Sequence, residues 1–260
     1  MHPLFSLAGK TALISGAGSR EGIGMAAARV LAELGARVVL VSTTGRIFER
    51  VSELKAEGHD AHGFVCNLSE RAAVCQLAAA IAVTLGTVDI LVNNAGMTQL
   101  GASESFALFH ECEDADWDTA IERNLGTCYN ATRAFLPAMV AQGWGRVVNV
   151  SSVTGPLVSN PGEAAYSAAK AAMVGMSRSI ALDVARFGVT INNVAPGWVA
   201  TASQSASEQQ ASRHTPLGRA GTPMEMAGMI AFLASPGASY ITGQMMVIDG
   251  GNCLQESKGA

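Results

Sequence analysis

Charge is scarce in this chain: charged residues fill 15% of its 260 positions, and lysine occurs only as Lys10, Lys55, Lys170 and Lys258. The balance is mildly acidic, a formal −4 with histidine neutral, and no basic cluster occurs. Such a surface lacks the footprint that holds nucleic acid or an anionic membrane, so small-molecule chemistry is expected. Cysteine is sparse as well. Cys66, Cys75, Cys112, Cys128 and Cys253 are odd in number and form no C-x-x-C pair, which excludes a disulfide framework and structural zinc and predicts free thiols and no metal site. The opening residues Met1-His2-Pro3-Leu4-Phe5-Ser6-Leu7 show neither a basic stretch nor a long apolar one. No signal peptide is visible, and a cytoplasmic protein is expected. The longest uncharged segment near the end, 226–248, is broken by Ser235-Pro236-Gly237 and Thr242-Gly243-Gln244 and reads as helix, turn and strand, not a membrane span.

What the chain has in quantity is apolar residue, 49% of the total, in a length that can bury a sizeable core. Short apolar runs at 11–15, 38–41, 63–66, 90–92, 147–150, 190–194 and 245–248 alternate with alanine-rich helical patterns. That alternation predicts a single α/β domain over 1–260, a doubly wound parallel sheet of about seven strands with helices on both faces. Ligands of such sheets bind beyond the strand C-termini. A first helix is expected over 24–34, ended by Gly35, and Thr222-Pro223-Met224-Glu225 is a capping box opening the last one. Two segments interrupt the rhythm, an enlarged loop at 97–116 and a Ser- and Gln-rich lid at 202–219, and both should overhang the crevice where substrate preference is set.

Three motifs carry chemistry. The first strand runs into Gly16-Ala17-Gly18-Ser19-Arg20-Glu21-Gly22-Ile23-Gly24 and then a helix, the setting in which backbone N–H groups cradle a pyrophosphate. The second strand ends Val41-Ser42-Thr43-Thr44-Gly45-Arg46 and has no carboxylate where an NAD-preferring protein accepts hydrogen bonds from the ribose. The hydroxyls of Ser42, Thr43 and Thr44, with Arg20 and Arg46, could instead hold a 2′-phosphate, so NADP(H) is expected over NAD(H). Otherwise Arg46 only solvates the start of the next helix. Tyr166 and Lys170, four apart within a run of small residues, share a helix face. An ammonium beside a phenol favours the phenolate and makes it a usable acid/base, although such pairs on exposed helices are commonly inert.

Together these residues resemble the single-domain short-chain dehydrogenase/reductases across almost the whole chain. The likeness rests on Asn93-Asn94-Ala95-Gly96, Arg123-Asn124-Leu125-Gly126-Thr127, Val148-Asn149-Val150-Ser151-Ser152, Tyr166-x-x-x-Lys170, Pro196-Gly197-Trp198-Val199-Ala200-Thr201 and the ending from Tyr240-Ile241-Thr242-Gly243 to Asp249-Gly250-Gly251, in the family's order. The resemblance implies that Tyr166 exchanges a proton with the substrate oxygen and that Lys170 lowers the tyrosine pKa and holds the nicotinamide ribose. It implies that Ser152 hydrogen-bonds the reacting carbonyl and that Asn124 holds a water in a proton relay. Hydride would come from the cofactor. Gly16, Ser19, Arg20, Gly22 and Ile23 would form the phosphate turn. Asn67 and Leu68 would face the adenine, Asn94, Ala95 and Gly96 the adenosine ribose, and Pro196, Gly197, Val199 and Thr201 the nicotinamide side. A homotetramer follows by the same likeness, with a dimer as the alternative.

Several features depart from the family pattern. Ser151 competes with Ser152, which lies fourteen residues before Tyr166, one more than is usual, placing an additional residue near Asn160-Pro161-Gly162. The glycine turn has five residues between Gly16 and Gly22, although counting from Gly18 restores the usual spacing. Glu104, Glu111, Glu113, Asp114 and Asp116 make part of the rim acidic. Thr215-Pro216-Leu217-Gly218-Arg219-Ala220-Gly221 and the C-terminal stretch resemble bacterial 3-oxoacyl-carrier-protein reductases. Those dock an acidic carrier on basic residues, yet this chain has Ala141-Gln142-Gly143-Trp144 before Arg146 and Leu182-Asp183 on the tyrosine helix, with Arg178 and Arg186 as partial compensation. The expectation is a reductase of free small ketones or 3-oxoacyl-type substrates. The alternatives are a dedicated carrier-protein reductase and a non-catalytic NADP(H)-binding sensor or structural protein.

Overall fold

The structure is a computed structural model, described for residues 2–96 and 107–256. Its order is β1 (Thr11–Ser15), α1 (Ile23–Glu33), β2 (Arg37–Ser42), α2 (Ile47–Ala56), β3 (Ala61–Val65), α3 (Arg71–Thr84), β4 (Ile90–Asn93), α4 (Asp114–Ile121), α5 (Thr127–Gln142), β5 (Gly145–Val150), α6 (Ala164–Val184), β6 (Val189–Pro196), α7 (Ala206–Ser212), α8 (Pro223–Ala234) and β7 (Met245–Ile248). The seven strands form one parallel sheet ordered β3-β2-β1-β4-β5-β6-β7, a single-domain Rossmann-like α/β fold.

The strands read as unbroken apolar runs because both faces are covered. Ala12, Ile14, Val38, Leu40, Val92 and Val148 point to a core with α1, α2 and α8, whereas Leu13, Val39, Val41, Leu91 and Val147 point to a second core with α3, α5 and α6. Each fully buried Val, Leu or Ile contributes about 1.5–3 kcal/mol by leaving water. The Thr222–Glu225 capping box forms as expected, with Pro223 at the first helical position.

Element edges move by a residue or two. α1 begins at Ile23 and closes at Glu33, because Leu34 already leaves helical geometry ahead of Gly35 (φ +98°). β3 occupies 61–65 instead of 63–66, since its pairing with β2 starts at Ala61 opposite Val38. Residues 97–106 of the enlarged loop lie outside the described residues. Its remainder holds a short 3-10 turn and the start of α4, and the lid carries α7, opened by a Ser205–Glu208 capping box. All five cysteines are free thiols. Among the described residues, no helix is long and apolar enough to cross a membrane and no cluster of His, Cys, Asp or Glu could hold a metal ion.

Candidate active site

The strand order reverses between β1 and β4, and the crevice opens there, beyond their C-terminal ends. Ser15, the last residue of β1, receives the N–H groups of Asn94 and Ala95 on its Oγ, each at 3.0 Å. Asn94 in return donates its side-chain amide to the carbonyls of Ser15 and Gly16, both at 3.1 Å. This bolts the glycine turn to the end of β4. A Cβ on Gly16 (φ +67°) would stand 2.8 Å from Asn94 Nδ2, and one on Gly24 2.7 Å from the same atom. Asn94 thereby fixes the turn at the edge of the crevice.

The turn leads into α1 through Gly22, which offers no capping side chain, and the first turn of α1 carries no acidic residue. The orphan N–H groups and positive end of an eleven-residue helix thus face the crevice without an internal anion, which fits a bound pyrophosphate. Ser19 supports the turn by accepting the Gly22 N–H on its carbonyl. A Cβ on Gly18 would touch Ser42 Cβ at 3.3 Å, so the turn lies directly against the end of β2. There Ser42 Oγ donates to the Thr44 carbonyl at 2.9 Å, Thr43 and Thr44 are exposed, and Arg46 Nε donates to Thr44 Oγ1 at 3.4 Å. Arg20 Nε lies 3.7 Å from Glu53 Oε1 on α2. Asn67 is held by Ser69 and Glu70, and the carbonyl of buried Leu68 receives the Asn130 amide at 2.9 Å.

On the opposite bank, α6 carries Tyr166 and Lys170. Lys170 is buried, 3% exposed, with Nζ donating to the Val150 carbonyl at the end of β5 at 3.0 Å and lying 5.5 Å from the Tyr166 ring centre. Asn124 joins them. A Cβ on Gly96 would lie 3.0 Å from Asn124 Oδ1 and 3.6 Å from Lys170 Nζ, so both groups border the space beside Gly96. Asn124 Nδ2 donates to the Ala120 carbonyl, while its buried Oδ1 has no hydrogen-bond partner. The helix there widens: residues Glu122–Gly126 form a π segment closed by the Thr127 N–H on the Glu122 carbonyl. Such segments are frequent at functional sites, and side-chain periodicity carries no sign of this one.

The two serines separate by their partners. Ser151 Oγ donates to the main-chain carbonyl of Lys170 at 3.1 Å, which ties β5 to α6. Ser152 Oγ accepts the Thr154 N–H at 3.0 Å, an arrangement that leaves its hydroxyl proton for another acceptor. Val153 and Gly197 N–H groups bond the Pro196 and Ile248 carbonyls, and Gly197 leaves room for Asp249, whose Cβ would lie 2.7 Å from a Cβ there. Val199 bridges to Gly221, and Thr201 Oγ1 pairs with Ser203 at the start of the lid at 3.0 Å.

Beneath the site lies a polar ladder that sequence reasoning missed. Asn93, Asn149 and Asn193 stand in register on β4, β5 and β6. Asn93 Nδ2 donates to Asn149 Oδ1 at 2.8 Å and Thr132 Oγ1 at 3.0 Å, and Asn149 Nδ2 donates to Ser177 Oγ at 2.9 Å. Ser177, fully buried on α6, lies 2.9 Å from Asn193 Oδ1 and 2.8 Å from the Met173 carbonyl, either of which can take its single proton. Asparagine recurring within three valine-rich strands was the available signal. A groove of about 410 Å³ at the other end of the sheet, near Thr11, His59 and Asp60, lies away from all of these residues. Its Lys10 and Arg37 are paired with Asp89 and Asp60.

Comparison with known proteins agrees with this arrangement. Residues 16–252 match the family described as enoyl-(acyl carrier protein) reductase. Oxidoreductase UcpA of Escherichia coli (strain K12) is 40% identical over 263 residues, covering 96% of this chain and 97% of that one. The 3-oxoacyl-[acyl-carrier-protein] reductase FabG of Vibrio cholerae is 38% identical over 250 residues, covering 95% and 98%. The crystal structure of a gluconate 5-dehydrogenase from Burkholderia cenocepacia J2315 in complex with NADP and tartrate superposes with a TM-score of 0.89 at 32% identity, over 97% of this chain and 98% of that one. With the fold, the glycine turn and the Tyr166–Lys170 helix in place, the chain belongs to the short-chain dehydrogenase/reductase family of oxidoreductases.

Proposed function

We propose that this protein is an NADP(H)-dependent carbonyl reductase and secondary alcohol dehydrogenase acting on a free small ketone or 3-oxoacyl-type substrate, with Tyr166 as acid/base. The observation that carries the reading is the buried Lys170 ammonium fixed at Val150 beside the Tyr166 ring, with Asn124 bordering the same space. When bound, the nicotinamide supplies the hydride. Tyr166 gives its phenolic proton to the substrate oxygen in reduction and recovers it in oxidation. Lys170 favours the phenolate by its charge and has the donors to hold ribose hydroxyls. Ser152 directs its hydroxyl proton to the substrate oxygen as charge gathers there. Asn124 Oδ1, buried and unpartnered, is suited to hold a water that returns protons to Lys170.

Preference for the 2′-phosphorylated dinucleotide is supported by the end of β2, where hydroxyls and Arg46 stand without a carboxylate. The Burkholderia gluconate dehydrogenase, whose structure contains NADP, is consistent with it. A free substrate is supported by Arg146, which is 3% exposed, stacked 4.5 Å from Trp144 and bonded to the Gly145 and Gly188 carbonyls. It therefore cannot offer its charge to an acidic carrier. A cytoplasmic homotetramer completes the proposal, and exposed Val247 on edge strand β7 and exposed Tyr129 on α5 offer apolar surface for subunit contact. The test is NADPH and NADH oxidation against ketones that include a 3-oxoacyl thioester, free and carrier-bound. Turnover with NADPH, and no gain from the carrier, is expected. Preference for NADH overturns the cofactor reading, preference for the carrier form overturns the substrate reading, and NADPH binding without turnover favours a sensor.

A further inference from the structure

We infer that Glu53 sets the cofactor preference by restraining it: its carboxylate competes with a 2′-phosphate for Arg20 and holds down affinity for NADP(H) relative to NAD(H). The inference rests on the NADP(H) reading given above. Arg20 belongs to the glycine turn, which touches the end of β2 where Gly18 meets Ser42. Its side chain is 72% exposed, and its Nε lies 3.7 Å from Glu53 Oε1. That oxygen also receives Arg50 Nη2 at 3.0 Å, while Arg50 reaches Glu49 at 2.9 Å with the same nitrogen. Glu53 Oε1 is thus shared between Arg20 and Arg50, and Arg50 in turn is shared with Glu49. Its second oxygen, Oε2, is shielded from water without a hydrogen-bond partner, as is Arg50 Nε.

The end of β2 has no carboxylate of its own, so the negative charge opposed to Arg20 comes from the second turn of α2. Glu57, one turn further, also feels the charge of Arg20, but its two oxygens are taken by Arg29 in a two-pronged pair at 2.9 and 3.0 Å. A 2′-phosphate must either draw Arg20 away from Glu53 or bind with that carboxylate nearby. A dinucleotide with a free 2′-hydroxyl meets neither cost. Exposed pairs of this kind are weak, which sets the expected effect at about two- to fivefold.

The test titrates the full chain with NADPH, NADH and adenosine 2′,5′-bisphosphate, comparing the parent protein with Glu53→Gln, which keeps an oxygen for Arg50 and removes the charge. In about 10 mM salt the variant should bind NADPH and the bisphosphate about threefold tighter and NADH unchanged. The gain should shrink in about 0.3 M salt, where screening is several-fold shorter in range. An unmoved NADPH-to-NADH ratio, weaker NADPH binding, or an equal change for both dinucleotides overturns the inference. A parent protein that prefers NADPH while the variant leaves the ratio unmoved refutes the role of Glu53 alone. A parent that prefers NADH, with NADPH binding indifferent to Arg20→Gln, refutes the cofactor reading itself.

Discussion

Gly155 lies in the loop between Ser152 and α6, where any side chain would strike the helix that carries Tyr166 and Lys170. Its φ is +100°, and a Cβ there would stand 2.2 Å from the Ser167 carbonyl oxygen and 3.0 Å from Ser167 C and Cα. Gly155→Ala therefore meets two penalties. The left-handed backbone costs about 1–2 kcal/mol for a residue with a Cβ, and forcing backbone apart in a packed site costs about 1–3 kcal/mol more. The sum, about 2–5 kcal/mol, is a large share of the ~5–15 kcal/mol that stabilises a typical domain. At ~2–4 °C per kcal/mol for a chain of this size, Tm should fall by about 4–20 °C. Gly143→Ala is the control: φ is +72° there and no atom stands within 4 Å, so only the backbone penalty applies. Thermal unfolding of the two variants by circular dichroism decides the matter. Because Ser167 adjoins Tyr166, kcat of Gly155→Ala should also fall more than cofactor affinity. A Gly155→Ala protein as stable as Gly143→Ala would refute the packing described between this loop and α6.

Ser177→Ala should lower stability by about 1–3 kcal/mol, because it strands the Asn149 amide in the core; urea unfolding with an unchanged m value measures this. Burial pushes the Cys128 thiol up to about 12, so in the native protein at pH 8 iodoacetamide should label exposed Cys75 and leave Cys128 intact, read by mass spectrometry. Glu225 is held down to about 2 from 4.5, first by its side-chain bond to Arg219 and then by the Thr222 N–H. With its folded pKa depressed, its contribution is present above about 4.5 and lost as pH falls towards about 2. Glu225→Gln should accordingly flatten the acid limb of a stability–pH curve in that window.

The fold was legible because a sheet covered on both faces writes each strand as a short apolar run, and 11–15 and 245–248 fell on β1 and β7. The Thr222 capping box was equally plain, since its residues bond to their own near neighbours. Ser205 and Glu208 have the same form but stand in a polar segment without the apolar run that draws notice. The pairing of Tyr166 with Lys170 followed from helical spacing, and their side chains do lie together on α6. The surroundings of Asn124 did not follow, because its π segment depends on i to i−5 bonding that side-chain periodicity does not encode. The asparagine ladder needed strand register, which aligns positions 93, 149 and 193 only once the sheet is assembled. Arg20 is a candidate phosphate ligand by its place in the glycine turn, whereas its partner Glu53 lies far along the chain and becomes its neighbour only when α2 packs beside the turn.

The most direct test of the acid/base claim compares steady-state NADPH oxidation with a reducible ketone by the parent protein and by Tyr166→Phe, alongside NADPH affinity measured by fluorescence. Removing one hydroxyl should abolish turnover and leave NADPH binding within a few-fold. A Tyr166→Phe protein that keeps most of its rate would contradict the assignment of Tyr166 as the proton donor.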